Sequence, residues 1–263
     1  MIRRIDVISC SNALSQVSPM WKSLFAAVMF ALAYVLHPAL QVLITLWMML
    51  WCLQYAKIPP RAYGQLFGTA LLFYGLSLPA LLVELGRPAA GEAALYLRIP
   101  GTAQFLYITR AGGLRAALLL ARISACLACC LFIMLTTPFG ELLQVLRRLR
   151  MPQIVLELML IMYRFLFLLD DAAHGLLLAR RLRGGRRGFR FKLREAAGMA
   201  ASLFANTMHR YYGLSQGLAA RGFTGEILLP PYVRRKVPRR FAFEAYAGIV
   251  LLAAAQLWML WTR

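Results

Sequence analysis

The chain has 263 residues, of which 61% are hydrophobic and only 15% charged. A soluble domain carries about 45–50% apolar and about 25% charged residues, so this apolar excess excludes an ordinary water-facing fold and calls for a lipid-facing one. Lys and Arg number 30 against 10 Asp and Glu, a net charge of +20, but they flank apolar segments as cytoplasmic loops do, which argues against nucleic acid as the partner.

The N-terminus, Met1-Ile-Arg-Arg-Ile-Asp, is polar and carries no recognisable cleaved leader. From Trp21 to Gln54 the sequence is nearly uncharged after Lys22. One helix of that length would be about 50 Å long, too long for a hydrocarbon core of about 30 Å. His37-Pro38 divides it, because proline disfavours helical geometry in the residue before it. Two spans are expected, at 22–36 and 39–54, followed by a basic loop with Lys57, Pro59, Pro60 and Arg61.

A third span is expected at 66–83, with Pro79 as a kink. Residues 84–113 form a mixed connection carrying Glu84, Arg87, Glu92, Arg98 and Arg110. The fourth span, 114–135, holds Arg122 well inside it. An intramembrane arginine is a functional candidate by default, and snorkelling or pairing with a carboxylate is the plain alternative. Cys126-x-x-Cys129-Cys130 lies in the same apolar run with no nearby His, and reads as buried thiols acting as small hydrophobes.

The pattern then changes. Thr137-Pro138 reads as a helix start, with Thr137 as N-cap, Pro138 in the first turn and Glu141 near the positive end of the dipole. Leu142, Val145, Leu146 and Leu149 recur at helical spacing opposite Arg147, Arg148 and Arg150, the pattern of a basic amphipathic surface helix. Pro152 starts a long helix that runs to about Arg183 and is closed by Gly184-Gly185. Another helix is expected from Glu195 to Arg221. The last apolar segment, 243–262, ends with Trp258 and Trp261, suited to an interfacial aromatic belt.

Nineteen of the basic residues lie between Arg147 and Arg240, which puts the block 138–240 inside by the positive-inside rule. The fold expected is therefore an all-α polytopic membrane protein. It has about five transmembrane helices and long cytoplasmic-side amphipathic helices; counting 154–169 and 196–218 as spans as well gives a range of five to seven. The chain is read as one membrane domain, 1–263.

No HExxH, GxSxG or phosphate-binding loop ending in GK[ST] occurs, so no P-loop ATPase chemistry resides here. Asp170, Asp171 and His174, with His209 on the next helix, could offer metal ligands; a polar helix end with acid–arginine pairing is the simpler reading. Gly217-Leu-Ala-Ala-Arg221-Gly222-Phe223 has the chemistry of a helix C-terminus: Arg221 at the negative dipole end, Gly222 free to take a left-handed cap, Phe223 able to pack back. Leu182-Arg183-Gly184 repeats the Arg-Gly ending.

These elements, in this order, resemble the T component of cobalt-type energy-coupling-factor importers, the CbiQ family. The resemblance rests on Ser18-Pro19-Met20-Trp21-Lys22, His37-Pro38, Thr136-Thr137-Pro138-Phe139 through Leu149-Arg150-Met151-Pro152, Met162-Tyr163-Arg164-Phe165 and Ala219-Ala220-Arg221-Gly222-Phe223. It implies a non-catalytic coupling subunit of a bacterial inner membrane, without cofactor or metal of its own. Its partners would be two cytosolic ABC-type ATPases and a metal-binding membrane S subunit, and its cargo cobalt in preference to nickel. Two Ala-Arg-Gly motifs would dock the ATPases. The second corresponds to Ala220, Arg221 and Gly222; the first to Arg183 and Gly184, with Leu182 where the pattern often has Ala. Pro138, Arg150, Pro152 and Arg164 would support the coupling helices.

Overall fold

The computed structural model describes residues 2–86, 93–98, 105–182, 188–223, 235 and 237–261. Among them the chain is helical apart from one small sheet. The helices are α1 (Ile2–Ser11), α2 (Pro19–Val35), α3 (Pro38–Leu50), α4 (Pro60–Leu82), α5 (Arg110–Thr136), α6 (Phe139–Arg148), α7 (Gln153–Leu182), α8 (Phe189–Ala220) and α9 (Arg239–Trp261). A 3₁₀ turn, Ala13–Gln16, follows α1, and a π-helical turn, Trp51–Tyr55, extends α3. Residues 1–142 with 234–263 form one compact unit, and 143–233 a second.

Four helical segments of the first unit are long and apolar enough to cross a membrane: Pro38–Tyr55, Pro60–Leu82, Gly112–Thr136 and Arg239–Met259. The helix Pro19–Val35 is apolar but shorter. At 1.5 Å per residue its 17 residues reach about 25 Å. The protein is a multi-pass membrane protein: four of the five spans expected from the sequence are long enough to cross, and the first, 22–36, falls in the shorter apolar helix α2. α7 and α8 are absent from that set, because charges and polar groups interrupt their apolar runs. α4 starts at Pro60, ahead of the expected boundary, and continues past Pro79 to Leu82. It turns Leu72, Phe73 and Leu76 outward, each more than 60% exposed, an arrangement that lipid tolerates and water does not.

α5 is the central helix of this unit and packs against α1, α2, α3 and α4. Ala125, Ala128, Cys129 and Phe132 recur at helical spacing and are fully buried. Three of the four are small, so neighbouring helices approach closely. Trp21, Phe25, Trp51 and Tyr55 close one end of the core, with ring centroids 5.5 Å (Trp21–Phe25), 5.2 Å (Phe25–Trp51) and 4.7 Å (Trp51–Tyr55) apart. The cysteines are free; of the three expected to be buried thiols only Cys129 is buried, while Cys126 is half-buried and Cys130 exposed on the outer face of α5.

The break at His37-Pro38 is a sharp corner. Leu36 and His37 are extended, Pro38 opens α3, and the Gln41 amide donates to the carbonyls of Ala33 and Leu36, both at 3.0 Å. Those are carbonyls that the end of α2 would otherwise leave unpaired.

The mixed connection contains three short strands, β1 (Val83–Gly86), β2 (Ala93–Arg98) and β3 (Phe105–Thr109). They form an antiparallel sheet in the order β1-β3-β2, with Val83 opposite Ile108, Tyr96 opposite Tyr107, and a bulge between Ala93 and Leu95. Leu-Tyr-Leu and Phe-Leu-Tyr-Ile are residue types enriched in strands; the scattered charges around them hide that pattern in the sequence.

The second unit contains α7 and α8, packed as an antiparallel pair. The Arg180 guanidinium donates to the Glu195 carbonyl and lies over Gly198. Further along, Leu160, Ile161, Tyr163 and Arg164 share a groove with Leu214 and Leu218.

Candidate coupling site

The tip of α8 is built from local backbone chemistry. Gly222 has φ +68°, a left-handed conformation that costs glycine little because it has no Cβ. The turn lets the Phe223 N–H donate to the Leu218 carbonyl and the Gly222 N–H to the Ala219 carbonyl, each at 3.1 Å. This paired closure satisfies the last carbonyls of α8. Arg221 is thereby held as the C-cap of α8, exposed and at the negative end of the dipole. Ala220 is the last helical residue. Phe223 remains 41% exposed, so the cap is made by the backbone and not by the ring.

α6 ends in the same way with a different residue. Arg150 has φ +61°, the Met151 N–H donates to the Leu146 carbonyl at 3.3 Å, and the Arg150 N–H to the Arg147 carbonyl at 3.1 Å. A non-glycine residue pays about 1–2 kcal/mol for that conformation. Pro152 follows and its carbonyl accepts from Val155 at 3.1 Å, starting α7. Two turns separated by so few residues make the α6–α7 corner stiff.

At the start of α6, Pro138 accepts from Glu141 and Leu142 at 2.9 and 3.1 Å. The sequence expected Thr137 to cap this helix, and it does not. Its N–H bonds back to Ile133 at 3.0 Å, so it belongs to the end of α5, and its buried hydroxyl has no hydrogen-bond partner among the described residues.

Glu141 takes part in a buried ionic network that sequence periodicity does not reveal. Lys22, completely buried, lies 3.2 Å from Glu141 Oε2, and its Nζ also donates to the carbonyls of Thr136 at 2.9 Å and Leu14 at 3.3 Å. Arg235 donates to Glu141 Oε1 and to the Ser15 carbonyl. Asn12 donates to Leu135 O at 3.0 Å, so the last carbonyls of α5 are capped from two directions. The only sequence hint was the placement of Lys22 and Glu141 at the starts of two helices.

The other candidates fall out as follows. Arg164 lines the groove between α7 and α8, which Leu214 and Leu218 line from the other helix. The α8 stretch from the level of Leu182 to Ala220 is about 40 Å long, so the C-termini of α7 and α8 stand at opposite ends of the pair. Arg183 and Gly184 lie outside the described residues. Asp170 and His174 form an exposed pair at 3.4 Å on α7. No cluster of three or more metal-ligating side chains occurs among the described residues, so His209 does not complete a site with them. Arg122 lies 5.4 Å from the centre of the Tyr34 ring, a cation–π contact between α5 and α2.

A family model described as cobalt transport protein, CbiQ, matches residues 11–231. The chain is 32% identical over 186 residues to a cobalt transport protein CbiQ of Rhodobacter capsulatus, covering 71% of this chain and 70% of that one. It is 27% identical over 240 residues to the Salmonella typhimurium protein of the same description, covering 86% and 99%. It is also 31% identical over 229 residues to a putative fused cobalt transport protein CbiMQ of Methanocorpusculum labreanum. That alignment takes in 86% of this chain but only 37% of the fused relative's length. Bacterial and archaeal relatives both occur, so the expected bacterial membrane does not follow from them.

Proposed function

The chain belongs to the CbiQ family of cobalt transport proteins, and from that premise we propose that it is the transmembrane coupling subunit of an ATP-driven cobalt importer. It has no catalytic role of its own. ATP hydrolysis belongs to two cytosolic ABC-type ATPases and ion binding to a separate membrane S subunit. The observation that carries this reading is the α8 tip: an exposed arginine, fixed by a left-handed glycine cap at the end of a 32-residue helix. A guanidinium so placed suits a carboxylate-lined groove on a partner, where charge-assisted bonds are short and directional.

The antiparallel arrangement of α7 and α8 gives the division of labour a physical basis. Their ends are about 40 Å apart, far enough for two ATPases to grip one each. The second grip falls at Ala220, Arg221 and Gly222, and the first at Arg183 and Gly184. Closure of the ATPase pair on ATP displaces the gripped ends as rigid levers and biases the S subunit between outward- and inward-facing states. The membrane is the cytoplasmic one, with the block 138–240 inside. Its single working domain comprises both compact units.

The test is Arg221→Glu in the reconstituted transporter. Reversing the charge of a desolvated pair costs about 2–5 kcal/mol at that interface. The chain should still insert, while the ATPases no longer co-purify and cobalt uptake stops. Uptake at the normal rate defeats the assignment.

A further inference from the structure

The chain crosses from the first unit to the second at Leu142–Leu143 and returns at Val233–Arg234. Glu141 stands one residue before the exit and Arg235 one residue after the return. These two are ion-paired with each other, and Glu141 is ion-paired with Lys22. We infer that Lys22, Glu141 and Arg235 form a clasp that fastens both ends of segment 143–233 to the transmembrane core, and that this clasp makes the segment's displacement pull on α2 and α5. The inference rests on the coupling function proposed above and names the residues through which the coupling enters the membrane unit.

The geometry suits that role. The carboxylate of Glu141 is split, with Oε2 toward Lys22 and Oε1 toward Arg235, so one side chain joins exit and return. Lys22 carries the load inward: it sits on α2 and donates to the Thr136 carbonyl, the last of α5, at 2.9 Å. Arg235 also donates to the Ser15 carbonyl, which ties it to the 3₁₀ turn. The side chains of Lys22, Glu141 and Arg235 are 0%, 13% and 33% exposed, so the clasp is dry at its lysine end and wettest at its arginine end. A largely buried, hydrogen-bonded network is stiff, whereas an unfastened chain junction would bend and lose the displacement. A fold needing only stability at this place is as well served by apolar side chains, which avoid desolvating three charges.

The experiment uses the complete transporter in liposomes, with cobalt uptake and ATP hydrolysis measured together, and the thermal midpoint of the full chain measured in detergent. Glu141→Gln leaves Lys22 charged and buried without its counter-ion, and should lower the midpoint. Lys22→Met with Glu141→Gln removes both charges and should restore it. In that double variant hydrolysis continues while uptake per ATP falls at least tenfold. Arg235→Gln, at the wet end, should keep the midpoint and hydrolysis, lower uptake per ATP by a similar factor, and be rescued by Arg235→Lys. Wild-type uptake per ATP in either Arg235→Gln or the double variant overturns the clasp and reduces it to a packing feature. An unmutated complex without ATP-dependent uptake overturns the coupling function itself, whatever the variants do.

Discussion

The two left-handed helix caps give a prediction with opposite signs at equivalent backbone positions. Gly222→Ala introduces a Cβ at φ +68°, and no atom lies within 4 Å of where that Cβ would stand. The cost is therefore conformational and not steric. An L-residue in this region loses about 1–2 kcal/mol, offset by about 0.5–1 kcal/mol because alanine has less unfolded-state freedom to lose. The net is about 1 kcal/mol against the cap, or roughly fivefold in its local opening equilibrium. The amide of Phe223, bonded to Leu218 at 3.1 Å, reports it directly. Arg150→Gly runs the same arithmetic backwards at φ +61°, so the α6 cap should tighten by about 0.5–1 kcal/mol and the Met151 amide should exchange more slowly.

Hydrogen exchange on the full chain in lipid nanodiscs measures both. Faster exchange at Phe223 in Gly222→Ala, a smaller change in Gly222→Asn, and slower exchange at Met151 in Arg150→Gly are the expected results. Unchanged protection at Phe223, or faster exchange at Met151, refutes the account of these ends as strained left-handed caps.

A Cβ on Gly248 would stand 3.0 Å from Trp47 Cζ2, so Gly248→Leu should cost about 1–3 kcal/mol by overpacking α3 against α9, seen as a lower thermal midpoint in detergent. Asn12→Ala removes the donor to Ser9 O at 2.7 Å and Leu135 O at 3.0 Å and should cost about 1–3 kcal/mol by the same measurement. A double-mutant cycle of Arg122→Met and Tyr34→Leu should give a coupling of about 0.5–2 kcal/mol; zero coupling would remove the cation–π contact as the reason Arg122 is tolerated in α5. His174→Ala should leave cobalt uptake unchanged, since among the described residues its ring pairs with Asp170 on its own exposed helix face; a loss of uptake would revive the metal-ligand reading.

Apolar periodicity and proline placement carried most of the architecture. The apolar helices of the first unit, the corner at His37-Pro38, the helix starts near Pro138 and Pro152 and the end of α8 are all local features, and local chemistry decides them. The Arg221-Gly222 cap was legible for the same reason: one residue type fits a left-handed C-terminus best. Arg150 breaks that rule, so its cap left no mark in the sequence. The strands of 83–109 were missed because charges at Glu84 and Arg98 interrupt the alternation. The Lys22–Glu141–Arg235 network joins residues 119 and 94 positions apart, a separation at which neither period nor spacing carries information. Thr137 was misread because α6 starts at Phe139, which puts Pro138 and not Thr137 next to the first turn, out of line for a hydroxyl cap.

The placement of arginines separates two kinds of work. Arg221 costs nothing to present, because Gly222 takes the left-handed turn beyond it and leaves the guanidinium exposed. Arg235 and Lys22 are drawn inward by one carboxylate and lose hydration to gain rigidity. Arg150 occupies the turn itself and bears about 1–2 kcal/mol of strain that glycine would relieve. Strain kept at a position where a cheaper residue fits the backbone implies that the side chain is used. Its guanidinium at the α6–α7 corner is therefore the next charge to test after Arg221: Arg150→Gly should tighten the cap and, if the side chain meets an ATPase, weaken co-purification at the same time. Tightening with full co-purification would show that the strain there serves no partner.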